Sequence, residues 1–130
     1  MLVLIQFIPV VRYNPPVESE VPVSPELRAV LRKACYDCHS NETIWPWYSK
    51  VAPISWLVAS DVHEGREELN FSTWARYDSK RQIKMFKKSW EEISEGEMPP
   101  WSYMLMHQEA AILPAERELF HKWVLALSTK

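Results

Sequence analysis

Glycine is nearly absent: the chain has two in 130 residues, Gly65 and Gly96, beside ten prolines and seven tryptophans. Flexible backbone is therefore scarce and large planar side chains are plentiful, a composition that buries much area per residue. An excess of one charge is also missing. Fifteen Lys and Arg against seventeen Asp and Glu give a net charge of −2, so the balance gives no reason to expect nucleic acid or an anionic membrane surface as a partner. Cysteine is limited to Cys35 and Cys38, which leaves no disulfide open to the chain except one between those two. Long apolar runs are lacking. Met1–Val11 is apolar apart from Gln6, and eleven residues fall short of the about 20 needed to span a bilayer. No basic leader or small-residue cleavage site precedes it. No strand pattern of useful length follows residue 24, and the length suits one domain. The class is all-α.

What is present centres on Cys35-Tyr36-Asp37-Cys38-His39. Two cysteines three apart with a histidine directly after the second form the pattern for covalent attachment of a c-type haem. On the last turn of a helix, positions 35, 38 and 39 share one arc of the surface. Two thiols there can add to the two vinyl groups of one porphyrin while His39 reaches the iron from the proximal side. A thioredoxin-like dithiol needs a βαβ setting, which is absent. A zinc site needs a fourth ligand at a recognisable spacing, and His63, His107 and His121 stand alone. One haem c per chain, with its iron, is the expected cofactor.

Along the chain, residues 1–13 are expected to be the end of a membrane or signal anchor whose start lies outside this sequence. Haem attachment in bacteria implies export, and something must direct it; a short packing strand is the competing reading. Residues 14–24, with Pro15, Pro16 and Pro22 among Glu and Ser, read as an extended linker. Residues 25–130 are expected to form the haem-binding domain. Ser24 and Pro25 open a first helix that runs to about Cys38, with Leu27, Val30, Leu31, Ala34 and both cysteines on one face. A loop follows, in which Trp45, Trp47 and Tyr48 are candidates to lie against the macrocycle edge.

A second helix starts at Pro53, carries Ile54, Leu57, Val58 and Val62 as its stripe, and ends or kinks at Gly65. Asp61 falls on that stripe, where a carboxylate needs a partner or a nearby cofactor; His63 falls opposite, toward solvent. A third helix over about 80–95 places Ile83, Phe86, Trp90 and Ile93 inward and ends at Gly96. Residues 97–112 read as irregular. A last helix over about 115–127 turns Leu119, Phe120, Trp123, Val124 and Leu127 inward and His121 away. About four helices around one covalently bound haem is the expected architecture.

A second axial ligand is sought among Met85, Met98, Met104, Met106, His63, His107 and His121. Met98 is best placed, since it follows the helix end at Gly96 and precedes Pro99 and Pro100, which stiffen its loop. His107 is the main rival. Met85 falls off the apolar stripe of its helix and reads as partly exposed. Methionine ligation closes the iron to oxygen and peroxide and raises the reduction potential relative to a second histidine. That points to a carrier of single electrons and not to an enzyme. The alternative is a peroxidase-like haem enzyme or a gas or redox sensor with a displaceable sixth ligand.

The motifs Cys35-x-x-Cys38-His39-Ser40-Asn41, Trp45-Pro46-Trp47-Tyr48, Ala52-Pro53-x-Ser55-Trp56-Leu57 and Gly65-Arg66-x-x-Leu69-Asn70-Phe71-Ser72-x-Trp74 together resemble the bacterial haem-binding-domain cytochromes c. The resemblance continues through Gly96-x-Met98-Pro99 and Tyr103-x-x-x-His107-x-x-Ala110, and covers about residues 14–128. It implies a periplasmic monohaem protein tethered to the inner membrane by its N-terminus, with an unidentified redox partner protein. Asn41, Trp56, Arg66 and Asn70 are the propionate-binding candidates that its motifs imply. Gln6-Phe7-Ile8-Pro9 is similar to the end of the family's anchor. Pro114 departs from the family, which often has Ser there to cap the last helix.

Overall fold

A computed structural model describes residues 1–129, which contain helices and no strand. Ser24 caps the first helix, α1 (Pro25–Ala34), by accepting the Leu27 N–H at 3.2 Å, and Pro25 occupies its first position. Leu27, Val30, Leu31 and Ala34 are buried, so the stripe read from the sequence faces the core. The helix does not run on to Cys38. Cys35 leaves helical geometry (φ −125°, ψ −33°), and a single further turn, α2 (Tyr36–His39), carries the rest of the motif. Its N–H groups are still used: Cys35 donates to Leu31 O at 2.8 Å and His39 to Cys35 O at 2.9 Å.

The helix expected to end or kink at Gly65 continues through it as α3 (Ile54–Glu68). α4 (Ser79–Ser94) is capped by Asp78, which accepts the Arg81 N–H at 2.8 Å. It ends with Gly96 at φ +76°, where Glu97 N–H reaches Glu92 O (2.9 Å) and Gly96 N–H reaches Ile93 O (3.1 Å). That pair of bonds is a Schellman stop, and only glycine enters the left-handed region cheaply. α4 carries Lys80, Arg81 and Lys84 in its first turns and Glu91, Glu92 and Glu95 at its end, an order that opposes the helix dipole. Its stability therefore comes from packing of its apolar face.

A short helix, α5 (Trp101–Met106), interrupts the stretch read as irregular. α6 (Pro114–Ser128) starts at the proline that displaces the family's serine, and Glu116 replaces the missing cap by accepting the Leu113 N–H at 2.9 Å. Lys33 donates to the same carboxylate at 2.6 Å and so ties α1 to α6. The expected count of about four helices becomes six because α2 and α5 are too short for a periodic signal.

The core is aromatic. Phe71, Phe86 and Phe120 are almost fully enclosed; Trp74 lies 4.5 Å from Phe86, and Trp123 meets Phe86 edge-on at 3.7 Å. α4 packs on α6, and α2 packs on α3. Leu119, Trp123 and Leu127 join Phe120 and Val124 against this cluster, as the spacing of the last helix requires. His121 does not face away: its ring stacks on Trp90 at 4.3 Å.

The linker is extended, but it is fastened along its length. Glu18 and Ser19 donate backbone N–H groups to Ser72 O at 2.9 and 3.0 Å, Glu18 pairs with Arg76, and Val21 is fully buried. The first residues form no strand. Leu4–Phe7 make a single 3₁₀ turn, held by Gln6, whose side-chain amide exchanges two hydrogen bonds with the Ala52 backbone (3.0 and 2.9 Å). Among the described residues no helix is long and apolar enough to cross a membrane.

Truncating the centre of the aromatic cluster, Phe86→Ala, is expected to lower the unfolding free energy by about 3–5 kcal/mol, read as a fall in the guanidinium midpoint with an unchanged slope.

Candidate functional site

α2 and α3 approach so closely that a side chain at residue 65 has no room. A Cβ built on Gly65 lies 2.4 Å from the carbonyl oxygen of Cys38. This contact, not a helix end, explains the glycine. It also brings the last carbonyls of α3 to His39, whose Nδ1 lies 2.9 Å from Gly65 O and 3.0 Å from Leu69 O. Both partners are acceptors only, so Nδ1 carries the proton and donates it. Nε2 is left with its lone pair free, the form in which a histidine binds iron.

His39 lines a cavity of about 910 Å³, at the upper end of the range for small-molecule and cofactor sites (about 300–1,000 Å³). Cys35, Cys38 and Met98 line the same cavity. Leu57, Val58 and Val62 from α3, Phe71, Ile93 and Phe120 make much of the remaining wall apolar. Asp61 joins them, and desolvation by that wall raises its carboxyl pKa, with Glu64 adding to the shift. Both cysteines are free thiols, each pushed up from 9.0 to about 12, chiefly by burial. Adjacent thiols, an oriented imidazole and an apolar cavity of this size fit a haem.

Of the candidates for the second ligand, Met98 lines the cavity and is 39% exposed. Its backbone is set by the Schellman stop, where Met98 N–H also reaches Glu92 O at 3.2 Å. His107 lines the cavity too, but both its ring nitrogens are taken: Nε2 by the Tyr48 hydroxyl (2.5 Å) and Nδ1 by Glu109 (3.2 Å). Met85, read as partly exposed, is half-buried; it lines the cavity and packs against the core. Met106 lines it as well, and Met104 does not. His63 pairs with Glu67 on α3 and does not itself line the cavity.

The propionate candidates Asn41, Trp56, Arg66 and Asn70 are absent from the cavity's lining, as is the macrocycle-edge candidate Trp45. Arg66 spends its guanidinium on Ser40 O (2.8 Å), Tyr13 O (2.7 Å), Asn14 Oδ1 (2.7 Å) and Thr43 Oγ1 (2.9 Å). Asn70 Nδ2 donates to Asn41 Oδ1 at 2.8 Å, and Asn41 Nδ2 donates to Pro16 O at 3.0 Å, both residues being buried. Trp45 donates its indole N–H to Asn14 Oδ1 at 3.1 Å, and Trp56 is exposed on α3. These residues clasp the N-terminal segment to the loop after His39. Of the three loop aromatics, Trp47 and Tyr48 reach the cavity and Trp45 does not.

Polar groups that line it include Thr43, Asp61, Lys88, Ser89 and Glu92, and a cluster of Asp37, Tyr48, Tyr103 and His107. Tyr103 donates its hydroxyl to Asp37 Oδ2 at 2.6 Å, and its ring stacks on His107 at 4.4 Å and 12°. Burial and the Asp37 carboxylate together push the Tyr103 phenol well above its ordinary range; burial raises Tyr48 as well. The four-residue spacing of Tyr103 and His107, quoted only as part of a family motif, was the available signal for this pair; its stacked geometry was not read because the segment lacked helical periodicity.

Gly65→Ala is expected to cost about 2 kcal/mol or more of stability, because the Cβ must displace backbone and not a flexible side-chain tip, and to lower haem incorporation in parallel; unfolding curves and the haem-to-protein ratio measure both. In the haem-free protein, the buried thiols hold their protons to higher pH than the unfolded chain does, so native stability holds below about pH 9 and falls as pH rises toward 12. Urea midpoints across that range test this, and a midpoint independent of pH there would contradict it.

Residues 1–126 match the family model described as a haem-binding domain. No curated protein and no solved structure matches the chain. A match over nearly the whole length, carried by a cavity that joins two thiols to an oriented histidine, makes this chain a member of the haem-binding domain family.

Proposed function

We propose that the protein is a monohaem c-type cytochrome that carries single electrons in the periplasm, tethered to the inner membrane through its apolar N-terminal segment. The observation that carries this reading is the meeting of Cys35, Cys38, His39 and Met98 on one cavity, with His39 Nδ1 already committed to Gly65 O and Leu69 O. Haem supplies a one-electron iron couple when bound. The chain's own residues supply the rest.

Cys35 and Cys38 hold the porphyrin edge through thioethers, so the cofactor stays with the chain at any dilution. His39 donates to two carbonyls of α3, which fixes the ring plane and raises the basicity of Nε2. Met98 would offer a neutral thioether as a second ligand, which favours the ferrous state. The apolar side chains of α3 keep water from the cavity wall and the change in solvation small. With His39 and Met98 both engaged, the bound haem would supply outer-sphere electron transfer and leave no place for a substrate at the iron. The partner is a redox protein. A second reading, a peroxidase-like enzyme or a gas or redox sensor, draws support from the partial exposure of Met98, which makes its displacement by a small ligand conceivable.

After expression with a haem-attachment system, haem is expected to remain on the chain through denaturing electrophoresis and to be lost from the Cys35→Ala/Cys38→Ala variant. The ferric protein should be low-spin and should turn high-spin in Met98→Ala. Carbon monoxide should bind the reduced wild type slowly and the variant fast. Free thiols and no Soret band would sink the c-type reading; rapid carbon monoxide binding by the wild type would favour the enzyme or sensor.

A further inference from the structure

The segment that carries Met98 is lightly held. α5, which follows it, buries none of its residues, and Trp101 is 73% exposed. Apart from buried Pro99, apolar side chains therefore contribute little to keeping residues 97–109 against the rest of the domain. Two side-chain hydrogen bonds add to the hold, one ending within the motif and one on the loop after it. Tyr103 donates to Asp37 Oδ2 at 2.6 Å, and His107 Nε2 meets the Tyr48 hydroxyl at 2.5 Å. Asp37 lies inside the attachment motif, between the two cysteines. Its other oxygen accepts the Ile44 N–H at 3.0 Å, so the carboxylate is itself held in place.

We infer that Tyr103 and Asp37 are positioning residues for Met98: their bond latches the 97–109 strap across the cavity, and methionine ligation depends on that latch. The inference rests on the His39/Met98 reading and deepens it. The physical argument concerns which state each bond belongs to. A thioether is a neutral, weak ligand, so the balance between a bound and a swung-out Met98 is sensitive to small free energies. The phenol–carboxylate bond exists only while the strap is closed. It is charge-assisted, short and partly buried, which puts it among the stronger hydrogen bonds. Ring stacking of Tyr103 on His107 transmits the same restraint to the second tether, since His107 cannot stay with Tyr48 if α5 turns away. The position between the cysteines thereby ties the distal ligand to the helix that carries the proximal one.

The test uses the haem-loaded protein with Tyr103→Phe, which keeps the stacked ring and removes only the hydroxyl. Expected are a weakened methionine-to-iron charge-transfer band in the ferric protein and carbon monoxide binding to the ferrous protein about tenfold faster, the factor that corresponds to losing one charge-assisted hydrogen bond from the closed state. Amide exchange in residues 101–106 should accelerate by a similar factor, with exchange in α4 and α6 unchanged. Trp101→Ala, on the same helix but outside the latch, should move none of these. A Tyr103→Phe protein with the band, the rate and the exchange of the wild type would overturn the latch while leaving Met98 ligation standing. Identical spectra for wild type and Met98→Ala would instead sink the ligation reading, and the latch with it.

Discussion

The bond from His39 Nδ1 to the carbonyls of Gly65 and Leu69 is the constraint on which the rest of the site depends. It requires α2 and α3 to touch, which requires glycine at 65, where any Cβ would meet Cys38 O. Once α3 is pinned there, its stripe of Leu57, Val58, Asp61 and Val62 becomes one wall of the cavity and not part of the protein's own core. The same contact decides the tautomer of the histidine, because two carbonyl acceptors leave no other place for the proton. One steric exclusion thus fixes a helix position, a cavity wall and the tautomer of His39.

Around that contact lies a second layer of polar restraint. Arg66 is the residue after Gly65, and its four acceptors come from the end of the motif, the loop beyond it and the N-terminal segment. Asn41 and Asn70 extend the network to the proline-rich stretch and to Ser72. Among the described residues no buried side-chain polar atom lacks a partner, so this layer carries no unpaired desolvation cost. Its consequence is that residues 13–21 belong to the folded unit. They form one face of the clasp that holds the loop after His39, although their composition alone describes a spacer.

Legibility followed the range of each signal. The cap of α1, the stop of α4 and the apolar stripes of α1, α4 and α6 were readable because local chemistry dictates them: Ser24 accepts the bond expected of an N-cap, and Gly96 stops its helix. The break at Cys35 and the existence of α5 were not, since helices of one or two turns have no period to detect. Gly65 was misread for a different reason. A glycine inside a helical pattern resembles a terminus unless the neighbour that crowds it is known, and that neighbour is 27 positions away. Asn41, Trp56, Arg66 and Asn70 were assigned to the cofactor from the family's motifs alone; in the structure the donors of Asn41 and Arg66 are spent within the protein. Cys35, Cys38, His39 and Met98, the four residues read as haem contacts, line one cavity.

The cavity and the aromatic core share their walls. Leu31, Val62, Phe71, Ile93 and Phe120 line the cavity, and four of them belong to the buried cluster that holds Phe86 and Trp74. Phe71 shows the coupling most directly: it stacks on Tyr36 of α2 at 5.6 Å, lies 6.2 Å from Phe86 of α4, and faces the cavity. A group that binds the native cavity and not the unfolded chain adds its binding free energy to folding. In a domain of this size, whose net stability is a small difference between large terms, a cofactor seated against these side chains acts as part of the core. The scarcity of glycine and the abundance of tryptophan then serve one purpose. They build a stiff shell whose inner surface a flat apolar partner would complete, and the one glycine inside a helix sits where the shell closes on His39.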